Sequence, residues 1–184
     1  MIMNNPLITI VTVCFNAVDT IEKTIQSVLN QTYQNVEYIV IDGASTDGTQ
    51  DMINKYRDKL AYYVSEPDGG IYDALNKGVK YAHGDWIGIL NCGDLFHDTE
   101  VLSNIFLNPI KQDIGVVFGN SVEVEKKKKT IHISKMSSIF SKIPPDYRHG
   151  ASFVRNSVHK KYLFDLDKQD KYNYGLDYLQ IYTS

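Results

Sequence analysis

Hydrophobic residues in the first half of the chain form short continuous runs that alternate with helically spaced stripes. The continuous runs at 7–14, 36–41, 60–64 and 86–90 predict buried β-strands. Between them, apolar residues recur at helical spacing and predict helices at 18–31, from within 45–49 to about 56, and at 70–82. Apolar strands that alternate with helices are typical of a parallel sheet that is covered by helices on both faces.

The pattern changes after Asp94. A helix is predicted at 99–106, and alternating segments at 115–125 and 130–134 predict an antiparallel hairpin with one solvated face. The Pro144-Pro145 pair predicts a break, and the tyrosine-rich segment 171–184 is predicted to be helical. Together these features predict an α/β fold with a mostly parallel central sheet and a small antiparallel hairpin region.

Composition narrows the class of protein. The chain of 184 residues is 43% hydrophobic and 22% charged, which suits one domain with a sizeable core. A formal net charge of −3 without a broad basic surface argues against a nucleic-acid partner. Cys14 and Cys92 cannot build a disulfide framework, and the first residues do not resemble a secretory signal. We therefore expect a cytoplasmic protein.

Acidic residues follow two of the predicted parallel strands. Asp42 ends the second strand and Asp94 follows the fourth. Open α/β sheets bind their ligands at this carboxyl edge. A carboxylate there can accept a hydrogen bond from a base or a ribose hydroxyl, or bind a hard cation that bridges two phosphates. The alternative is that both residues stabilise turns, as aspartates often do.

Several motifs also occur in a fixed order along the chain. They are Thr12-Val13-Cys14-Phe15-Asn16, Val40-Ile41-Asp42-Gly43-Ala44-Ser45-Thr46-Asp47-Gly48-Thr49, Asp68-Gly69-Gly70-Ile71-Tyr72-Asp73-Ala74-Leu75-Asn76-Lys77-Gly78, Gly84-Asp85-Trp86-Ile87 and Leu90-Asn91-Cys92-Gly93-Asp94. This ordered set resembles the family-2 inverting glycosyltransferases, and most closely the bacterial members that build surface polysaccharides. The resemblance covers residues 7–95 well and continues more weakly through 149–153 and 174–178.

The resemblance implies the A-type glycosyltransferase fold, with a Rossmann-like sheet, in a single domain at 1–184. The nucleotide-binding half would span about residues 7–95 and the acceptor-binding half about residues 96–184. Family members usually continue with further helices after the motif that matches 175–178. We therefore expect the acceptor-binding half to be truncated at Ser184.

The resemblance also assigns roles to individual residues. Asp42 would contact the base, Asp94 would coordinate Mn²⁺ or Mg²⁺ on the diphosphate, and Asp177 would be the catalytic base. The other nucleotide-binding or donor-binding residues would be Thr12, Cys14, Asn16, Asp68, Asn76 and Gly93.

The metal motif departs from the family pattern. Cys92 and Gly93 replace the acidic residues that usually precede the last aspartate, which leaves Asp94 as the motif's sole carboxylate. Mg²⁺ can still bind through one carboxylate together with phosphates and waters. Asp177 is the best match to the family's base, and its alternative role is that of a solvated helix residue. His149 matches a position near the family's active site, or else is structural.

The expected function is transfer of a hexosyl or N-acetylhexosaminyl group from a nucleotide-sugar, most simply a UDP-sugar, to a saccharide or lipid-linked acceptor. One alternative is a nucleotide-sugar-binding domain with weak or no catalysis, because the acidic motif is sparse. Another is a sugar nucleotidyltransferase, for which we expect a loop with glycine and arginine after the first strand. Phe15-Asn16-Ala17-Val18 stands there instead.

The four consecutive lysines Lys126–Lys129 are predicted to form a solvated hairpin tip. The alternative is attraction to anionic lipid head groups or to a lipid diphosphate acceptor. That second interpretation implies peripheral contact with the inner face of the membrane. The sequence is also compatible with a homodimer.

Overall fold

The computed structural model describes residues 5–125, 128–134 and 149–166. Its strands are β1 (Ile8–Cys14), β2 (Val36–Asp42), β3 (Tyr62–Ser65), β4 (Trp86–Ile89), β5 (Val116–Phe118), β6 (Ser121–Glu125), β7 (Lys128–His132) and β8 (Ser152–Arg155). Its helices are α1 (Ile21–Leu29), α2 (Thr49–Asn54), α3 (Ile71–Tyr81), α4 (Val101–Phe106) and α5 (Asn156–Lys161), with 3-10 turns at Arg57–Lys59 and His149–Ala151. The predicted break at Pro144-Pro145 and the predicted helix at 171–184 lie outside the described residues.

A six-stranded sheet in the order β3-β2-β1-β4-β8-β5 forms the centre of the fold. The first four strands along the sequence pair in parallel, which confirms the predicted sheet. Cys14 lies opposite Asp42 at the carboxyl end of the β1–β2 pair. Because parallel strands end at the same edge, the loops that follow β1, β2, β3 and β4 meet there.

Helices cover both faces of this sheet. Alternate residues of β1 point to opposite faces, so Ile8 and Ile10 pack with α1, α2 and α4, whereas Val11 and Val13 pack with α3. The continuous apolar strands follow from this arrangement, because β1, β4 and most of β2 are buried on both faces. In the described ranges, no helix is long and apolar enough to cross a membrane.

Close packing of α3 on β1 depends on Gly78. A Cβ atom built at Gly78 would lie 2.3 Å from Val11 Cγ1, which is well inside van der Waals contact. We expect Gly78→Ala to lower the free energy of unfolding, because overpacking by about 1–3 kcal/mol exceeds the gain of about 1 kcal/mol in helix propensity. Urea denaturation would measure this loss. In a Val11→Ala background the same substitution should cost less, and an equal cost in both backgrounds would contradict the packing argument.

The second half of the chain differs from the prediction at residues 115–125 and in the unpredicted strand β8. The predicted strand at 115–125 is two strands, β5 and β6, that separate at Gly119-Asn120. β5 joins the main sheet by antiparallel pairing with β8, and the Gly119 N–H donates to the Ala151 carbonyl at 2.8 Å. β6 pairs with β7 in a separate antiparallel hairpin, which confirms the predicted hairpin. The local pattern along 115–125 could not show that β5 and β6 pair with different strands.

Candidate functional site

Asp42 is buried at the carboxyl end of β2 with an exposed fraction of 0%. Its Oδ2 accepts hydrogen bonds from the Ser45 N–H at 3.0 Å and the Ser65 hydroxyl at 2.5 Å. Its Oδ1 accepts from the Ser45 hydroxyl and, at 3.5 Å, from the Cys14 thiol. The carboxylate therefore fixes the loop after β2 by internal bonds. This environment supports a structural role and leaves no exposed surface of Asp42 for a base.

Thr12 and Cys14 are buried in β1. The Thr12 hydroxyl donates to the Leu90 carbonyl at 2.8 Å and lies 3.0 Å from the Tyr38 hydroxyl. Burial, with the nearby charge of Asp42 as the second cause, raises the pKa of the Cys14 thiol far above its usual range. The side chain of Thr12 is fully buried and that of Cys14 nearly so. Both residues therefore hold neighbouring strands together, and only their following loop faces the sheet edge.

Asn16 is exposed and joins the loops that follow β1 and β2. It adopts a positive φ of 46°, which asparagine tolerates better than most residues. Its Oδ1 accepts from the Thr46 N–H at 3.0 Å, and its own N–H donates to Ser45 Oγ at 2.8 Å. The Ala17 N–H donates to Thr49 Oγ1 at 2.7 Å. These bonds set the loop after β1, including its exposed Phe15, in one position.

Phe15, Gly43 and Asp68 form a cluster at the carboxyl ends of β1, β2 and β3, hereafter the Asp68 cluster. A Cβ atom at Gly43 would lie 2.9 Å from Asp68 Oδ2 and 3.3 Å from a ring carbon of Phe15. The Phe15 ring is 65% exposed. Asp68 Oδ1 accepts from the Gly70 N–H at 2.8 Å, which orients the carboxylate. The cluster thus presents an aromatic face beside a hydrogen-bond acceptor.

Asn76 lies in α3, and its side-chain amide forms hydrogen bonds within the protein. Its Nδ2 donates to the Phe164 carbonyl and its Oδ1 accepts from the Phe164 N–H, both at 2.9 Å. The reciprocal pair attaches the segment after α5 to α3. Asn76 therefore positions the segment after α5 against α3.

Gly93 and Asp94 lie in a tight turn after β4. Gly93 has a φ of 96°, a conformation that favours glycine. The Thr24 hydroxyl fixes the turn, because it accepts from the Gly93 N–H at 3.0 Å and donates to the Asp94 carbonyl at 3.1 Å. Gly93 thus supplies a backbone shape that presents the Asp94 side chain at the carboxyl edge of the sheet.

Asp94 and Gly150 form a second cluster, hereafter the Asp94 cluster, and the Asp94 N–H donates to the Asn91 carbonyl at 2.9 Å. A Cβ atom at Gly150 would lie 3.5 Å from Asp94 Oδ2, so the glycine leaves space beside the carboxylate. The Asn91 Oδ1 is buried and has no hydrogen-bond partner within the described residues. Asp94 is exposed as a whole, but partial desolvation by the surrounding protein raises the pKa of its carboxyl above the usual range.

The Asp94 cluster fits a divalent cation that is bound together with phosphate. In the described residues, no hydrogen-bond donor contacts the Asp94 carboxylate, and its oxygens are available as ligands. Within 5–125, 128–134 and 149–166 there is also no group of three or more histidine, cysteine or acidic residues that could hold an ion. Mg²⁺ and Mn²⁺ tolerate such a sparse protein site when diphosphate oxygens and waters complete the shell. Asp94 is the residue that would hold the ion.

The structure describes neither the side chain of His149 nor any part of Asp177. Asp177, the predicted catalytic base, lies outside the described residues. For His149 the structure describes the backbone, which begins the turn that places Gly150 beside Asp94.

Three residues at the sheet edge lack a predicted role of their own. Phe15 and Asn91 lie within the recognised motifs, yet nothing in their spacing distinguishes them from packing residues. Gly150 follows the matched His149, but its position depends on the antiparallel pairing of β8 with β4. A glycine flanked by a polar residue before a strand is the only local signal that could have suggested it.

Comparison with known proteins places the chain in a family. The family described as "Glycosyl transferase family 2" matches residues 9–170. An uncharacterized glycosyltransferase of Mycobacterium tuberculosis is 32% identical over 170 residues, which cover 88% of this chain and 64% of that protein. The Escherichia coli protein WfaP, a UDP-Glc:alpha-D-GlcNAc-diphosphoundecaprenol beta-1,3-glucosyltransferase, is 32% identical over 146 residues, which cover 79% of this chain and 55% of WfaP.

Solved structures show the same fold. S. aureus TarS 1-349 in complex with UDP superposes with a TM-score of 0.71 at 20% identity, over 97% of this chain and 54% of that one. The mannosyltransferase PcManGT from Pyrobaculum calidifontis, in complex with GDP-Man and Mn²⁺, gives a TM-score of 0.67 at 20% identity, over 90% of this chain and 49% of that one. The predicted A-type glycosyltransferase fold is confirmed.

The chain thus spans less than two thirds of these relatives. Across that span the match of the family to residues 9–170 agrees with the order of motifs and with the fold. The chain therefore belongs to glycosyl transferase family 2.

Proposed function

We propose that the chain is the catalytic domain of an inverting glycosyltransferase that transfers a sugar from a UDP-sugar to a saccharide or lipid-linked acceptor. The observation that carries this proposal is the Asp94 cluster, in which a carboxylate without a hydrogen-bond donor among the described residues lies beside Gly150. A residue kept only for a turn would accept hydrogen bonds from its own loop, as Asp42 does. Asp94 instead has the arrangement of a ligand-binding group.

The Asp68 cluster is the proposed base site. The exposed Phe15 ring offers a face on which a planar base can stack. Asp68 Oδ2 lies beside Gly43, where a side chain on residue 43 would otherwise stand. A carboxylate there can accept a hydrogen bond from the ring N–H of uracil. Asp68 thereby takes the base contact that the family resemblance implies for Asp42.

The diphosphate of the donor would lie between the two clusters, along the carboxyl edge of β1 and β4. Asp94 would bind a divalent cation through its carboxylate, and the bound cation would neutralise charge on the departing diphosphate. Gly93 and Thr24 hold the Asp94 backbone in position for this contact. Residues 7–95 therefore serve as the proposed nucleotide-binding half.

Inversion requires a base that removes the proton from the acceptor hydroxyl. We propose Asp177 for this role, on the resemblance of residues 174–178 to the family motif. The acceptor-binding half would then include residues 96–184. The E. coli relative supports a lipid-linked acceptor, because its name describes transfer of glucose to a diphosphoundecaprenol-linked sugar. A role in bacterial surface polysaccharide synthesis, at the inner face of the membrane, follows from such an acceptor.

A catalytically weak donor-binding domain is the second candidate, because Asp94 is the only carboxylate of its motif. It would bind the nucleotide and leave the sugar untransferred. The nucleotidyltransferase alternative has less support, since the loop after β1 presents Phe15 and Asn16 rather than a glycine-rich and arginine-bearing turn.

Calorimetric titration of UDP and GDP, with and without Mn²⁺, tests the proposed donor site. We expect Mn²⁺-dependent binding of UDP that falls about tenfold or more in Asp68→Asn, because the amide can present an N–H to the base where an acceptor is required. Asp51→Asn, an exposed position in α2, is the matched control and should leave the affinity unchanged. Equal affinity of wild type and Asp68→Asn would contradict the base contact. Incubation with UDP-sugars then separates transfer from binding alone.

A further inference from the structure

The β6–β7 hairpin has two chemically distinct faces. Directly opposite residues of an antiparallel pair point to the same side, so Val122 with Ile131 and Val124 with Lys129 share one face. Ile133 continues that face by its alternation with Ile131. The opposite face carries Ser121, Glu123 and Thr130 together with His132. We call the first the apolar face and the second the polar face.

The apolar face is uncovered by the described residues. Val122 is 41% exposed, Val124 62%, Ile131 67% and Ile133 64%. Single exposed aliphatic side chains are common, but a contiguous set on a short hairpin indicates an interaction surface. The hairpin is nevertheless closed at its base, because the Ser134 N–H donates to Asn120 Oδ1 at 3.0 Å and the Ser134 hydroxyl donates to the Gly119 carbonyl at 2.7 Å.

Charges around the hairpin are unevenly placed. Lys129 projects from the apolar face, opposite Val124, whereas Lys128 lies on the polar face. The acidic Glu123 lies on the polar face, where it contacts His132 at 2.9 Å. An apolar surface that carries Lys129, with Glu123 on the other side, complements an anionic bilayer. In such a bilayer, aliphatic side chains enter the interface and lysines meet lipid head groups.

The hairpin begins near the candidate site. β5 runs in the same direction as β4, because both are antiparallel to β8, and the hairpin follows directly from the end of β5. At that end the Gly119 N–H bonds Ala151, whose neighbour Gly150 lies beside Asp94. A membrane that holds the hairpin would therefore hold the Asp94 edge of the sheet close to the lipid surface.

We propose that the apolar face of the β6–β7 hairpin docks the protein on anionic lipid bilayers. Membrane binding stands independently of transfer, whereas its benefit, delivery of a lipid-linked acceptor to the site, rests on the proposed function. Val122, Val124, Ile131 and Ile133 enter the interfacial region, and Lys129 pairs with lipid phosphates.

Sedimentation of the full chain with vesicles tests this proposal. The vesicles contain equal parts of phosphatidylglycerol and phosphatidylcholine, and no donor is added. We expect Val124→Asp to weaken binding by about tenfold or more, because it removes an inserted aliphatic group and adds a repelled charge. Ser121→Asp, in the same strand but on the polar face, makes the same change in net charge and should bind nearly as wild type. Lys129→Gln should weaken binding by about fivefold.

Several outcomes would overturn the docking surface. They are equal binding of wild type and Val124→Asp, no binding of the wild type to vesicles, and a dimer in ultracentrifugation that Val124→Asp dissociates. Such a dimer would assign the apolar face to a second copy of the chain. Failure of the wild type to bind vesicles would mean that another part of the protein covers the face. UDP titration of each variant separates these results from failure of the donor site, since the hairpin lies outside the Asp68 and Asp94 clusters.

Discussion

Asp94→Asn is expected to lower sugar transfer by about a thousandfold, because a cation on a departing diphosphate supplies several kcal/mol of transition-state stabilisation. The amide keeps the size of the side chain but loses the charge that would hold the ion. Transfer from the UDP-sugar identified by screening, measured at saturating Mn²⁺, gives the rate. Asp98→Asn removes the same charge from the same loop, where Asp98 Oδ1 accepts from the Glu100 N–H at 2.8 Å. This control should keep nearly full activity.

The stability of Asp94→Asn separates a ligand-binding role from a structural one. Partial desolvation raises the pKa of Asp94, so the folded state disfavours the ionised carboxyl at neutral pH relative to the unfolded state. Removing that charge should leave the melting temperature unchanged or raise it. A variant that loses activity together with stability would instead show that Asp94 maintains the turn. Unchanged activity would contradict the metal assignment.

Asp42→Asn is expected to lower the free energy of unfolding by about 2–4 kcal/mol, because a buried acceptor is replaced by a group with two N–H donors. The Ser45 N–H and the Ser45 and Ser65 hydroxyls all donate to this carboxylate. The amide cannot accept from all of them, and its own N–H groups would face other donors. Urea denaturation measures the loss. Asp51→Asn, an exposed aspartate in the first turn of α2, should cost less than about 1 kcal/mol.

The affinity for UDP distinguishes a structural role of Asp42 from a contact with the base. If the residue is structural, the folded Asp42→Asn protein should bind UDP with nearly the wild-type constant. A variant that keeps its stability but loses UDP affinity would restore the base contact implied by the family resemblance. The comparison with Asp68→Asn is direct, since that variant should lose affinity and keep its stability.

Much of the fold was predictable from local pattern. The strands at 8–14, 36–42 and 86–89 are mostly apolar because helices cover both faces of the parallel sheet. The same pattern placed Asp42 and Asp94 after strands, and hence at the carboxyl edge. The hairpin was also predicted, since alternating residues on exposed strands leave a visible period of two.

The strand β8 was not predicted, and neither was the separation of β5 from β6. Ser152-Phe153-Val154-Arg155 is too short to stand out, and its position between β4 and β5 depends on contacts with residues far away in sequence. The same long-range pairing brings Gly150 to Asp94. Pairing partners of short strands are fixed by the whole sheet rather than by their own residues.

Within the site, the sequence identified the carboxylates but could not sort them. Asp42 and Asp68 are both aspartates beside glycines, and the choice between them depends on burial and on the hydrogen-bond donors that surround each. Asp42 meets three donors from Ser45 and Ser65 and is closed to solvent, whereas Asp68 presents Oδ2 toward Gly43 and the exposed Phe15.

The sequence by itself determined the alternation of strands and helices, the order of the family motifs and the positions of Asp42 and Asp94 at strand ends, because these depend on local spacing. Only the tertiary structure decided that Asp42 supports a loop, that Gly43 leaves room for Asp68, and that Gly150 leaves Asp94 open. Those properties depend on which distant residues meet, and contacts between distant residues leave no period in the sequence.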